Sequence, residues 1–137
     1  MGEEKQIKKI FIVDDDKFLL DMYTSKFTAK GFEVDRALGS AEAVDKLRSG
    51  ITPDVILLDI VMPGMDGFEL LSIIKTESLA PQAKVLMFSS LGQAADIEKS
   101  RTSGANGYVV KALATPSEVV ERVMTILEGG EAFAEPY

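Results

Sequence analysis

Ile10-Phe11-Ile12-Val13-Asp14-Asp15-Asp16 and Val55-Ile56-Leu57-Leu58-Asp59 share one design: a short, continuous apolar run that stops abruptly at carboxylates. A run apolar at every position suits a parallel strand covered by helices on both faces. Three further strand candidates follow, Phe32–Ala37, Val85–Phe88 and Tyr108–Val110. Phe32–Ala37 alternates, with Glu33, Asp35 and Arg36 among its apolar residues, which suits a sheet edge.

Amphipathic stretches with readable ends lie between these runs. Asp16 can cap a helix with Leu19, Tyr23 and Phe27 on one face, closed by Gly31. Ser40 starts a second, with Val44 and Leu47 inward and Gly50 at its end. Asp66 and Glu69 have capping-box spacing, as do Thr115 and Glu118 around Pro116. The stretch Gln93–Ser103 has only Ala94, Ala95 and Ile97 to bury, so a loosely docked helix is expected there.

Five strand-then-helix repeats predict an α/β fold: a doubly wound, five-stranded parallel sheet of order 2-1-3-4-5. The expected organisation is a flexible N-terminus over 1–8, one domain over 9–128, and a C-terminal tail over 129–137. In such sheets ligands bind beyond the carboxyl ends of the strands, here between the first and third. That crevice receives Asp14, Asp15 and Asp59, with Asp16 spent as a helix cap. Clustered carboxylates repel one another unless a cation joins them. The chain has no histidine and no cysteine, so a hard cation held by oxygen is the fitting one, and Mg²⁺ beside a phosphate is the usual case. A carboxylate can attack phosphorus to give an acyl phosphate. Ser89 and Lys111 end the fourth and fifth strands on the same side, where a lysine could hold phosphoryl oxygens.

Composition excludes several classes. The formal net charge is −7, which makes a poor nucleic-acid binder. No apolar run is long enough for a membrane span, and no signal peptide is visible, so a soluble cytoplasmic protein is expected. An aspartate-nucleophile phosphatase would need Asp-x-Asp-x-Thr; Asp14 and Asp16 have the spacing, but Phe18 stands where the threonine belongs. A flavin phosphate loop is rich in Ser and Thr, and three carboxylates occupy its place. A binding module that keeps the fold without phosphorylation is a third alternative.

The ordered series resembles the receiver domain of two-component response regulators over about Lys9 to Leu127. It comprises Ile12-Val13-Asp14-Asp15, Pro53-Asp54-Val55-Ile56-Leu57-Leu58-Asp59, Met62-Pro63-Gly64-Met65-Asp66-Gly67, Val85-Leu86-Met87-Phe88-Ser89-Ser90 and Gly104-Ala105-Asn106-Gly107-Tyr108-Val109-Val110-Lys111. The resemblance implies a flavodoxin-like (βα)5 receiver fold with Asp59 as phosphoacceptor. Asp15, Asp59 and the Val61 carbonyl would bind Mg²⁺, and Asp14 would act through water. Ser89, Ser90 and Lys111 would hold the phosphoryl group, with Ser89 and Tyr108 as the switch. The implied partners are a sensor histidine kinase or phosphotransfer protein, an effector protein, and a second copy in a phosphorylation-linked dimer if the chain is not a monomer. No second domain is evident, so a stand-alone signalling domain rather than an enzyme is expected. The family usually has Lys-Pro joined by a cis bond after the fifth strand. Ala112 follows Lys111 here, and a cis bond before a non-proline residue costs about 2.5–4 kcal/mol, so the loop either carries that cost or runs trans. Val61 and Leu91, each two residues beyond Asp59 and Ser89, are apolar and cannot orient a hydrolytic water, so a long-lived acyl phosphate is expected.

Overall fold

Alternate residues of each central strand feed opposite layers, and that alternation builds the molecule. The computed structural model describes residues 7–136; most of the flexible stretch expected over 1–8 lies outside them. The strands are β1 (Lys9–Asp14), β2 (Glu33–Leu38), β3 (Val55–Asp59), β4 (Lys84–Ser89), β5 (Gly107–Val110) and β6 (Ala132–Phe133). The helices are α1 (Lys17–Ala29), α2 (Ser40–Arg48), α3 (Gly67–Thr76), α4 (Ala94–Thr102) and α5 (Pro116–Leu127), with a 3₁₀ turn at Lys111–Leu113. The sheet order is β2-β1-β3-β4-β5-β6, and every pairing is parallel.

Phe11, Val13, Ile56, Leu58, Val85, Met87, Tyr108 and Val110 pack with α2, α3 and α4. Their neighbours Ile10, Ile12, Val55, Leu57, Leu86, Phe88 and Val109 pack with α1 and α5. The expected order 2-1-3-4-5 is present, extended by one short strand. β6 falls within the stretch read as a tail. On α1 Leu20, Tyr23 and Phe27 are buried, and Leu19 packs half-buried against the same core, so Leu20 joins the expected face. Phe32 precedes β2 rather than starting it. Its N–H closes on the Phe27 carbonyl, and the two rings meet edge to face at 5.1 Å.

The caps stand as the sequence suggests. Asp16 Oδ1 accepts from the Phe18 and Leu19 N–H groups. Asp66 with Glu69, and Thr115 with Glu118, form complete capping boxes. Such caps contribute about 1 kcal/mol each, and here they fix where helices start relative to strand ends. No peptide bond among the described residues is cis, so Lys111–Ala112 runs trans into the 3₁₀ turn.

Candidate functional site

β1 and β3 are adjacent in register, with Val13 opposite Leu58. The next residue on each strand, Asp14 and Asp59, therefore emerges at the same edge. Both are buried, with 1% and 2% of their surface exposed, while Asp15 is exposed. One oxygen from each of Asp14, Asp15 and Asp59 lies within 4.8 Å of the others, and this is the carboxylate group among the described residues suited to a metal.

Lys111 arrives from β5. Its Nζ lies 2.9 Å from Asp14 Oδ2, 3.3 Å from Asp59 Oδ1 and 5.0 Å from the centre of the Phe88 ring. The trans linkage to Ala112 thus leaves the lysine at the site. One ammonium does not satisfy the cluster. Asp14 Oδ1 accepts from the Asp16 N–H, but Oδ2 has no aligned hydrogen bond despite the nearby charge. Burial, and then the Asp14 charge, push the Asp59 carboxyl up to about 7 against the opposing pull of Lys111. Burial alone would lower the Lys111 ammonium, yet the Asp14 and Asp59 carboxylates outweigh it and hold the group above its ordinary value. A buried carboxylate oxygen that has an ion pair but no aligned hydrogen bond, within a cluster of three acids, fits an oxygen-loving divalent cation.

Ser89 is fully buried at the end of β4, and its Oγ accepts from the Leu91 N–H at 3.1 Å. Tyr108, also buried, donates its O–H to the Leu91 carbonyl at 2.6 Å. Ser90 is exposed in the same loop. Val61 lies two residues past Asp59 with 53% of its surface exposed, and Leu91 is 39% exposed.

Two structural contributions, the backbone of Leu91 and the bare Cα of Gly67, are not legible in the sequence. Leu91 joins Ser89 to Tyr108 through its backbone, which no residue-type signal reveals. Gly67 lets α3 sit against the strand end that carries Asp59. A Cβ there would overlap the Asp59 carbonyl oxygen and lie 2.7 Å from Ile60 Cα. The Gly67 N–H also donates to the Ile60 carbonyl at 2.8 Å. Gly67→Ala is expected to destabilise the fold by about 1–3 kcal/mol, as overpacking does, and to displace Asp59. Denaturant unfolding with the midpoint of wild type would contradict that contact.

Residues 10–124 match the response regulator receiver domain. The chain belongs to this receiver family. Its similarity to known receivers is broad. The chemotaxis protein CheY of Thermotoga maritima is 36% identical over 115 residues, covering 83% of this chain and 92% of that protein. The phosphate regulon transcriptional regulatory protein PhoB of Rhizobium meliloti is 31% identical over 121 residues, 88% of this chain but 52% of its own length. The receiver thus spans about half of relatives of that kind. Among solved structures, a CheY-like receiver from Methanospirillum hungatei superposes with TM-score 0.80 at 30% identity, covering 90% of this chain and 95% of that one. CheY in a CheX–CheY–BeF3–Mg²⁺ complex from Borrelia burgdorferi gives 0.78 at 34% identity, covering 87% and 88%. As a receiver the chain is a signalling domain of two-component systems, and none of its described helices is long and apolar enough to cross a membrane.

Proposed function

We propose that this receiver accepts a phosphoryl group on Asp59 in a Mg²⁺-dependent transfer and uses it to reshape the surface of α4, β5 and α5 for an effector protein. The observation that carries the reading is the convergence of Asp14, Asp59 and Lys111 from the ends of three separate strands at one edge of the sheet, with Nζ 2.9 and 3.3 Å from the two carboxylates. An Asp59 carboxylate oxygen attacks phosphorus. The bond from phosphorus to the donor's nitrogen or oxygen breaks, and the leaving group takes the electron pair. Lys111 keeps its charge and turns to the new phosphoryl oxygens. Asp14, Asp15, Asp59 and the Val61 carbonyl would hold Mg²⁺, which when bound neutralises charge on the transferred group. Ser89 and Ser90 supply donors to the same group.

No histidine stands in these 137 residues to carry phosphorus first, so the group comes from another molecule, in this reading a protein of the histidine-kinase or phosphotransfer type. Docking of that protein is supported by Phe18, Leu38, Val61, Leu91 and Leu113. These are exposed apolar side chains, one at or just beyond the carboxyl end of each of β1 to β5. Transmission follows the Leu91 backbone. If Ser89 shifts toward phosphate, its hold on the Leu91 N–H changes, and with it the carbonyl that anchors Tyr108.

The direct test is incubation with acetyl phosphate and Mg²⁺, read by intact mass. One phosphoryl group should be added, and none when EDTA replaces Mg²⁺. Protein that gains no mass in Mg²⁺, or gains it equally in EDTA, would sink the reading.

Two more outcomes follow from the site. A proton on Asp59 competes with the metal. With its carboxyl at about 7, Mg²⁺ affinity should rise with pH and level off above that value. It should be about tenfold weaker at pH 6 than at pH 8 in a calorimetric titration, and a flat profile would refute the assignment. The exposed, apolar Val61 and Leu91 leave no side chain to place a water in line with the acyl phosphate. Its loss should be slow for this family, and Val61→Glu should speed it by about tenfold or more through a carboxylate able to orient water. A wild-type acyl phosphate lost within seconds of donor removal would refute that account.

A further inference from the structure

We infer that the outer edge of β5 is a strand-accepting surface. Its resident occupant is the chain's own segment Glu131–Ala134, and a partner protein's extended segment of the same pattern (acidic, small, aromatic, small) can take its place. The inference is independent of whether Asp59 takes a phosphoryl group.

A sheet edge offers unpaired N–H and C=O groups, and an added strand is the usual way to use them in recognition. Here the edge is covered by β6 in parallel register, Gly107 opposite Ala132 and Tyr108 opposite Phe133. The Ala132 N–H donates to the Asn106 carbonyl at 3.1 Å, and the Ala134 N–H to the Tyr108 carbonyl at 2.9 Å. Gly107 adapts the edge to this approach, because a Cβ there would come within 2.7 Å of the Ala132 carbonyl oxygen. Selectivity comes from α4. The Arg101 guanidinium stacks 4.1 Å above the Phe133 ring, and its Nη1 lies 3.5 Å from Glu131 Oε1. The ladder thus reads backbone register, and the one Arg101 guanidinium reads both the aromatic and the acid.

The occupant is held lightly. β6 is two residues long, where strands commonly have about five or six. Ala132 is buried, Phe133 and Ala134 are half-buried against the core, Glu131 is exposed, and the segment leaves α5 through Gly129, at φ +94°, and Gly130. So short an edge segment opens at lower free-energy cost than the central strands. Its bond to the Tyr108 carbonyl and its Arg101 anchor also attach it to α4 and β5, so a change in either alters its hold.

The test uses the full chain and a fluorescein-labelled peptide, Gly-Glu-Ala-Phe-Ala-Glu, the sequence of residues 130–135. Ala132→Pro/Phe133→Ser removes a ladder donor and the aromatic anchor, freeing the edge. Fluorescence anisotropy should show the peptide binding this variant at least about tenfold more tightly than wild type, where the tethered segment competes. A peptide with Phe replaced by Ser should not bind, and Arg101→Ala in the freed variant should weaken binding. Because a proline could disturb the fold, Arg101→Ala alone provides a second reading, in which hydrogen exchange at the Ala134 amide should accelerate while the central β3 amides stay protected. Equal peptide binding to wild type and freed variant, or an unchanged Ala134 amide in Arg101→Ala, would overturn the inference. So would a wild-type dimer that exchanges this segment between copies, since the edge would then belong to a second copy of the chain.

Discussion

Asp59→Asn is expected to do two things at once: abolish phosphoryl acceptance from acetyl phosphate and raise the thermal stability of the metal-free protein. The first follows from chemistry, because a carboxamide lacks the anionic oxygen that attacks phosphorus. The second follows from the cost of keeping Asp59 ionised. Its carboxyl stands at about 7 in the folded protein against 3.8 as a reference, for reasons of burial and the Asp14 charge. A folded-state acid raised in this way binds its proton more tightly than the unfolded chain does. Ionisation therefore costs nothing below about pH 4, costs more as pH climbs from there to about 7, and is at its full value above. The neutral amide escapes that cost but forgoes the Lys111 contact, so the net gain is on the order of 2 kcal/mol at pH 8. For a domain of this size the melting temperature should rise by about 5 °C in EDTA at pH 8 and hardly at all at pH 4.5. Mg²⁺ should reverse the order by stabilising wild type more than the variant. A variant that melts below wild type in EDTA at pH 8 would show that Asp59 is a net stabilising charge, contrary to the burial argument.

What the sequence disclosed and withheld divides by the range of the interactions. Asp14 and Asp59 were legible because each ends an apolar run, and strand order alone sends both to one edge. Asp16, Asp66 and Thr115 were legible as caps because their partners lie within three residues. Leu19 and Leu20 are adjacent leucines that both reach the core, Leu20 more deeply, and helical spacing alone does not rank them. β6 left no local trace, since two residues carry no period and Gly129-Gly130 reads as an ending. Its existence depends on Asn106, Gly107 and Arg101, all more than twenty positions earlier in the chain. Gly67 is similar, because its need for a bare Cα appears only when α3 has docked against the Asp59 carbonyl. The trans bond after Lys111 was one of two open alternatives, and the 3₁₀ turn that follows delivers the ammonium without the proline usual in the family.

Lys111→Met should have the opposite effect on stability and a larger one on chemistry. The side chain is 21% exposed, and its ammonium faces two nearly buried carboxylates. Removing one partner of a buried ion pair commonly costs about 3–5 kcal/mol. Here Asp59 can escape part of that by taking up a proton, since its affinity for one is already high, so a loss of about 2–3 kcal/mol in EDTA at pH 8 is expected. That loss should shrink as pH falls below about 7 and Asp59 becomes neutral. Asp59→Asn placed on top of Lys111→Met should therefore recover most of the stability, a coupling of about 1–3 kcal/mol in a double-mutant cycle. Mg²⁺ can also replace the missing positive charge, so millimolar metal should bring the single variant's melting point close to wild type. Phosphoryl transfer should not follow. A charge shared among three carboxylates does not stand in for a donor aimed at a phosphoryl oxygen, and losing such a donor typically slows reaction by about 10²-fold or more. Stability rescued by Mg²⁺ together with a transfer rate that stays low would assign Lys111 a positional role in the chemistry. If metal restored both, the lysine would be a counter-ion and nothing more, and if the substitution changed neither, the convergence of Asp14, Asp59 and Lys111 would have no energetic meaning.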